Sequence, residues 1–391
     1  MHLFFIDQYI TLDMFSPIIY KLSKKKEKIF IYNCNYVQNY NNEKKFKFIL
    51  DKKNVINIKV SKFFNIISLF DFLLIYFAAK LPEKIVRKLF NFWRKAYAGK
   101  ILISENKILD FIKNNNITTI SIDESLPEVK RDFIINLKKK CKIKIIVIHG
   151  GLHTLVTKQN INNFISKIDY YLSPGKIPTY TYGFNKSFIN SSKYVEIGSP
   201  RFSPEWIKIL DKISKTKVKK NNDGKKIRIG LFVRPNNISN KKVESLLNKL
   251  NKLNFVETKL NQKPRDSLPG KNSIIFKSEL NSTELINWSD IIITYPTSIN
   301  IEAIIKNKYT ILTNYIKVHI ENQNSWFSKF KIIENVKTEK QVFELINRYR
   351  LNKKSKLKVK DKYKLLKLFI SYKKGESILE RYKNFYENIK I

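Results

Sequence analysis

Acids are scarce in this chain: 33 Asp+Glu stand against 75 Lys+Arg, a net charge of +42 over 391 residues. A surplus of that size attracts nucleic acid or anionic lipid. The lysines are spread over the whole length, and a Lys-, Asn- and Ile-rich bias also follows from coding-DNA composition alone. No nucleic-acid recognition motif accompanies the charge. Histidine is rarer still, with only His2, His149, His153 and His319. Two cysteines, Cys34 and Cys141, fit neither a disulfide framework nor a metal-ligand spacing, as suits a reducing compartment. His149 and His153 lack a third ligand nearby, so no metal site is expected. No apolar run is suited to spanning a membrane. Phe63 to Ala79 is at the short edge of the required length and carries Asp71 near its centre. The first residues, Met1 to Asp7, lack a basic region ahead of their apolar run and read as a strand, not a secretory signal.

What is present is enough apolar residue, 43%, to build real cores, over a length that accommodates two domains. Short apolar runs alternate with helical patterns. Strands are expected at Leu3–Ile6, Lys28–Tyr32, Val55–Val60, Ile117–Ile122, Ile143–Ile148, Tyr170–Ser173 and Tyr194–Ile197. After a polar stretch the alternation restarts at Ile227–Val233, Val256–Leu260, Ile274–Lys277, Asp290–Thr294, Tyr309–Thr313 and Lys331–Glu334. The pattern predicts α/β architecture: two facing doubly wound, Rossmann-like parallel sheets, with C-terminal helices crossing back to the first domain. The expected division is 1–208 with an aromatic and basic helical insertion at 61–98, a linker at 209–225, a second domain at 226–358, and returning helices at 359–391. In the insertion, aromatics beside a basic run suit a helix lying on an anionic membrane surface. A buried helix with a basic outer face fits the same residues.

In such sheets ligands bind beyond the carboxyl ends of the strands. Asp123 and Glu124 end the fourth expected strand, and His149-Gly150-Gly151 ends the fifth. A carboxylate or imidazole there is placed to accept a proton, and glycine lets a ligand approach the backbone. The alternative for Asp123 and Glu124 is a helix-start acid facing the macrodipole. Arg201, after Gly198-Ser199-Pro200, and Arg234 are candidate phosphate partners. The stretch Trp288 to Tyr315 reads as strand, turn, helix, strand. Its turn, Tyr295-Pro296-Thr297-Ser298, offers two hydroxyls and helix-start N–H groups to a phosphate, and Glu302 follows where a ribose would be held. The plainer reading is that Thr297 or Ser298 caps the helix.

Taken in order, His149-Gly150, Asp169-Tyr-Tyr-Leu-Ser-Pro174, Ile197-Gly-Ser-Pro-Arg201 and Ser289-Asp-Ile-Ile-Ile-Thr-Tyr-Pro-Thr-Ser298 with Glu302-Ala303 resemble the CDP-glycerol glycerophosphotransferases of teichoic-acid synthesis. They also resemble related capsule and surface-polysaccharide glycosyltransferases of the GT-B fold. The likeness covers roughly residues 143 to 315. It implies an inverting, metal-independent transferase acting on a CDP-, CMP- or UDP-linked donor and a glycan or lipid-linked acceptor, on the inner face of the cytoplasmic membrane, with no separate cofactor. His149 would be the base, Thr297 and Ser298 would hold donor phosphates, and Glu302 the ribose. The chain departs from that family at Asn261, where a second histidine is usual; asparagine donates a hydrogen bond but is no acid. Two rival expectations are a nucleotide-sugar 2-epimerase and a non-catalytic basic protein that binds lipid or nucleic acid.

Overall fold

The computed structural model describes residues 1–34, 40, 43–59, 62, 104–151, 162–214, 226–232, 240–261, 278–316, 325–352 and 359–389. The insertion at 61–98 (Lys62 apart), the expected strand Ile274–Lys277, and His153, Arg234 and His319 lie outside them.

The apolar runs become strands, and the central ones, such as His2–Ile6, Thr119–Asp123 and Ile291–Thr294, bury both of their faces. β1 (His2–Ile6), β2 (Ile29–Asn33), β3 (Val55–Ile58), β4 (Thr119–Asp123), β5 (Lys144–Ile148), β6 (Tyr170–Ser173) and β7 (Tyr194–Glu196) form one sheet in the order β3-β2-β1-β4-β5-β6-β7. Every pair in it is parallel. Alternate residues fill opposite cores. Phe4, Ile6, Ile146, Ile148 and Leu172 face one, while Leu3, Phe5, Ile145, Val147 and Tyr171 face the other. β8 (Ile227–Phe232), β9 (Val256–Leu260), β10 (Ile291–Thr294), β11 (Tyr309–Thr313) and β12 (Glu334–Val336) form a second parallel sheet, ordered β12-β11-β10-β8-β9. Its central strand, β10, sets Ile293 opposite both Leu231 and Ile311.

The C-terminal helices Val359–Ile370 and Ile378–Glu387 return to the first domain. Tyr386 OH meets Ser121 Oγ at 2.6 Å, and Tyr382 OH donates to Gly198 O at 3.0 Å. Close approach depends on two glycines. A side chain at Gly175 would meet the Leu368 carbonyl at 2.5 Å, and Gly198 has φ +103° with the Ile370 carbonyl 3.0 Å from where a Cβ would stand.

Three local expectations are corrected. The linker does not begin at 209, because Ile209 to Ser214 complete the helix Pro204–Ser214, whose Trp206 and Ile207 are buried. The last strand is Glu334–Val336, not Lys331–Glu334. Phe330 to Ile333 form a turn, pinned where Ile332 N donates to Asp361 Oδ2 at 2.8 Å. The seventh strand is Tyr194–Glu196, one residue short of the expected Ile197. At the first helix, α1 (Tyr9–Leu22), Gln8 occupies the cap position without a side-chain bond, and Thr11 and Asp13 lie inside the helix without capping it. Both side chains serve tertiary contacts instead, Thr11 with Asp123 and Asp13 with Lys45 and Arg201.

The carboxyl edges of the two sheets face one another, as two contacts between the domains show. Lys44 begins the helix α2 (Lys44–Leu50) that follows β2, and its Nζ lies 3.1 Å from Glu284 Oε1 in the helix that follows β9. Tyr180, in the helix after β6, lies with its ring 5.6 Å from that of Trp326, which follows β11. Lys44 and Tyr180 lie on the elements that come next in the chain after the carboxyl ends of β2 and β6. Between these two contacts lie the ends of β1, β4 and β5 on one side and of β10 and β8 on the other.

Candidate active site

In the first domain the sequence candidates come together in two groups on opposite faces of the sheet edge. Asp123, 1% exposed, is held from the turn that follows it and from α1. Ser125 donates its backbone N–H at 2.6 Å and its hydroxyl at 2.5 Å to Oδ1, and Thr11 Oγ1 donates to Oδ2 at 3.4 Å. Burial outweighs these bonds and pushes its carboxyl up to about 6. It is therefore not a helix-start acid; the following helix begins only at Glu128. Gly150 serves this carboxyl. A Cβ there would fall 1.9 Å from Asp123 Oδ2, so the glycine admits a neighbouring side chain to the backbone. Gly151 is less confined, with Ile10 Cδ1 at 3.3 Å from its Cβ position.

Glu124, one residue on, points the other way. Its Oε2 lies 2.6 Å from His149 Nδ1 and accepts the Tyr171 hydroxyl at 2.8 Å, and Tyr171 OH is itself 2.9 Å from Nδ1. Tyr182 OH lies near the same carboxylate, whose charge acts on it. Both phenols are raised above the usual range, first by burial and then by the Glu124 charge. The His149 ring is fully buried and meets the edges of Tyr171 and Tyr182, with centroids at 6.4 and 5.9 Å. Tyr171 and Tyr182 were missed in the sequence, although the spacing was informative. Tyr171 pairs with Val147 across β5 and β6, two residues before His149 on the same face.

In the second domain Thr294 ends β10, and the turn Tyr295–Ser298 is partly exposed. Among the described residues neither the Thr297 nor the Ser298 hydroxyl takes part in a hydrogen bond, and Ser298 does not cap its helix, Ile299–Ile305. The turn is braced from within. Asn300, fully buried, donates from Nδ2 to the carbonyls of Tyr295 and Thr297, both at 3.0 Å. Pro296 sits in that braced turn. Glu302 is 5% exposed; its Oε1 lies 3.6 Å from Lys306 Nζ, which also reaches Asp211 at 2.5 Å and Asn287 at 2.6 Å. Lys306 thus ties Glu302 to the helix that leads out of the first domain. Lys306 was another residue the sequence reading passed over, though i, i+4 spacing from Glu302 marks it.

Two candidates stand apart. Arg201 Nη1 pairs with Asp13 Oδ2 at 3.2 Å and its guanidinium covers the Phe202 ring, so it is anchored to α1. Asn261 ends β9, the edge strand, and β8 separates it from the Thr297–Ser298 turn. Its Oδ1 accepts a long bond from Ser282 Oγ at 3.5 Å. Among the described residues no three His, Cys, Asp or Glu side chains are grouped to hold a metal ion, and no helix is long and apolar enough to cross a membrane.

No protein-family model and no curated protein matches the sequence. Solved structures do match. A variant of the wall teichoic acid polymerase TagF is similar at TM-score 0.57 and 12% identity, over 99% of this chain and 89% of that one. The UDP-GlcNAc 2-epimerase of Neisseria meningitidis, bound to UDP-GlcNAc, is similar at TM-score 0.55 and 11% identity, over 99% and 98% of the two chains. At such identities the likeness is one of fold. Two parallel α/β domains with opposed carboxyl edges, and a C-terminal helix pair returning to the first, make this a chain of the GT-B fold.

Proposed function

We propose that the chain is an inverting transferase that moves a sugar or a polyol phosphate from a nucleotide-activated donor to a surface glycan or a lipid-linked acceptor. The observation that carries this reading is the placing of two polar sites on opposed sheet edges: His149 with Glu124 and Asp123 on one, the Thr297–Ser298 turn with Glu302 on the other. The donor's phosphates would dock on the turn and its ribose on Glu302. The acceptor oxygen would attack the transferred group, the bond to the nucleotide would break, and His149, or Asp123 on the opposite face, would take the acceptor proton. Arg234 would balance charge on the leaving nucleotide, a role for which Arg201, held by Asp13 on α1, would first have to leave that pair. The strongly basic composition supports attachment to the anionic inner face of the cytoplasmic membrane; protein that stays unbound from anionic vesicles at low salt refutes that part.

The likeness to a 2-epimerase favours a second reading, in which the same cleft inverts a nucleotide sugar at C2. Purified chain incubated with CDP-, CMP-, UDP- and GDP-linked donors separates the two. Under the transferase reading one donor raises the melting temperature, by about 2.7 kcal/mol of stability at a hundred times its Kd, and Glu302→Ala removes that gain. Donor turnover requires acceptor and is lost in His149→Ala. Inversion at C2 without any acceptor refutes the transferase, and no response to any donor refutes both readings.

A further inference from the structure

Glu124 was a candidate for the base itself, but its surroundings give it another job. One carboxylate oxygen receives His149 Nδ1 at 2.6 Å and the Tyr171 hydroxyl at 2.8 Å, and the Tyr182 phenol lies close enough to feel its charge. A carboxylate so supplied with donors has little capacity left for a substrate proton. What it does have is a fixed demand: every neighbour must present hydrogen to it. A phenol can donate or accept, and so can a neutral imidazole nitrogen, depending on tautomer. Facing an acceptor-only carboxylate, Nδ1 must carry the proton. The lone pair of the neutral ring is then on Nε2.

We propose that Glu124, with Tyr171 and Tyr182, is a positioning residue that locks His149 in the Nδ1–H tautomer, leaving Nε2 as its basic nitrogen. This rests on the transferase reading only for its use, not for its truth. Tyr171 completes the lock: its hydroxyl donates to Glu124 while its oxygen lies 2.9 Å from Nδ1, so the three atoms form a closed triangle that a rotated ring would break. Tyr182, whose ring meets that of His149, ends the helix Ile177–Tyr182, the helix whose Tyr180 touches Trp326 of the second domain. The ring is thereby tied to an element that the other domain also touches.

The test reads the ring directly. In 15N-histidine-labelled full-length protein without substrate, long-range 1H–15N correlation distinguishes protonated from lone-pair nitrogens; His149→Asn assigns the signal among the four histidines. The expected result is a protonated Nδ1 and a lone-pair Nε2 in the neutral ring. Glu124→Leu removes the acceptor and should mix or reverse the tautomers. Glu124→Gln keeps a carbonyl acceptor and should retain the wild-type pattern, whereas Tyr171→Phe opens the triangle and should weaken the preference without reversing it. A protonated Nε2 in the wild type, or an unchanged pattern in Glu124→Leu, overturns the proposal. If Glu124→Leu does not fold, the wild-type and Glu124→Gln spectra still decide, because both must show the Nδ1–H form. The transferase reading is tested apart from this: with donor and acceptor, Glu124→Leu should lower kcat at least 100-fold with KM little changed. The tautomer result stands whether or not that turnover is found.

Discussion

Gly150→Ala is a sharp test of how Asp123 is housed. The added Cβ would lie 1.9 Å from Oδ2, 2.2 Å from Oδ1 and 2.3 Å from Cγ of a carboxyl that is 1% exposed. One of two things must give. Asp123 can swing away, losing the Ser125 N–H and hydroxyl bonds, each worth roughly 1.5–3 kcal/mol to a charged acceptor. Alternatively the end of β5 can shift, at the roughly 1–3 kcal/mol typical of overpacking. The cheaper route sets the loss, so about 2–3 kcal/mol is expected. The cause is specific, which makes a double-mutant cycle decisive. With Asp123→Ala already present the obstacle is gone, and Gly150→Ala should then cost less than ~1 kcal/mol, a coupling of about 2 kcal/mol. Gly151→Ala is the control; its Cβ meets only the far end of the Ile10 side chain, at 3.3 Å. Urea unfolding followed by tryptophan fluorescence at pH 7 measures all five chains, with Trp206 in the core of the first domain as reporter. Equal costs for Gly150→Ala in both backgrounds would refute the reasoning, since the clash would then lie elsewhere.

Two further outcomes follow from burial. Asp123 has its carboxyl raised to about 6, above the ~3.9 of an unfolded aspartate, so the folded chain holds that proton more tightly. Its contribution to stability is therefore fullest below pH ~4, declines as pH rises to about 6, and is level above, a change of roughly 2–3 kcal/mol. Asp123→Asn cannot titrate, so the stability of wild type minus that of the variant should fall between pH 4 and pH 7 in urea titrations; a difference independent of pH contradicts the burial. The Cys34 thiol, fully buried near the Asp7 carboxylate, is pushed up to about 12, chiefly by desolvation. Native protein at pH 8 should leave Cys34 unlabelled by iodoacetamide over the time that unfolded protein is labelled at both cysteines, as read by peptide mass; prompt native labelling of Cys34 contradicts its burial.

The fold was readable because its central strands are buried on both faces and therefore appear as unbroken apolar runs. Ile291 to Thr294 and Tyr309 to Thr313 needed no tertiary information to be recognised. Where reading failed, a tertiary contact had taken over a locally ambiguous residue. Ile332 and Ile333 have strand chemistry, yet a side chain from a helix 29 residues later, Asp361, claims the Ile332 N–H and fixes a turn. Residues 209–214 run directly into a Lys-, Ser-, Thr- and Asn-rich stretch that hides their helical pattern. Trp206 and Ile207, earlier in the same helix, are what hold it against the core.

The site was legible as a location but not as a division of labour, and the missing step was a simple one. Asp123 and Glu124 were treated as one carboxylate pair at a strand end. Consecutive residues at the end of a strand point to opposite faces, so the pair was bound to split between two environments. One goes to α1 and the Gly150 backbone, the other to His149 and two tyrosines. Their chemistry diverges accordingly. Asp123 receives bonds from a backbone N–H and two hydroxyls, too few to offset burial, and is driven towards neutrality. Glu124 gathers the Tyr171 phenol and an imidazole and so sets the proton on its neighbour's ring. Adjacent carboxylates with such different partners cannot substitute for each other. Exchanging them, Asp123→Glu with Glu124→Asp, keeps composition and charge constant, yet each acid would meet partners at the wrong reach. Two acids that had merely shared a polar edge would tolerate the exchange.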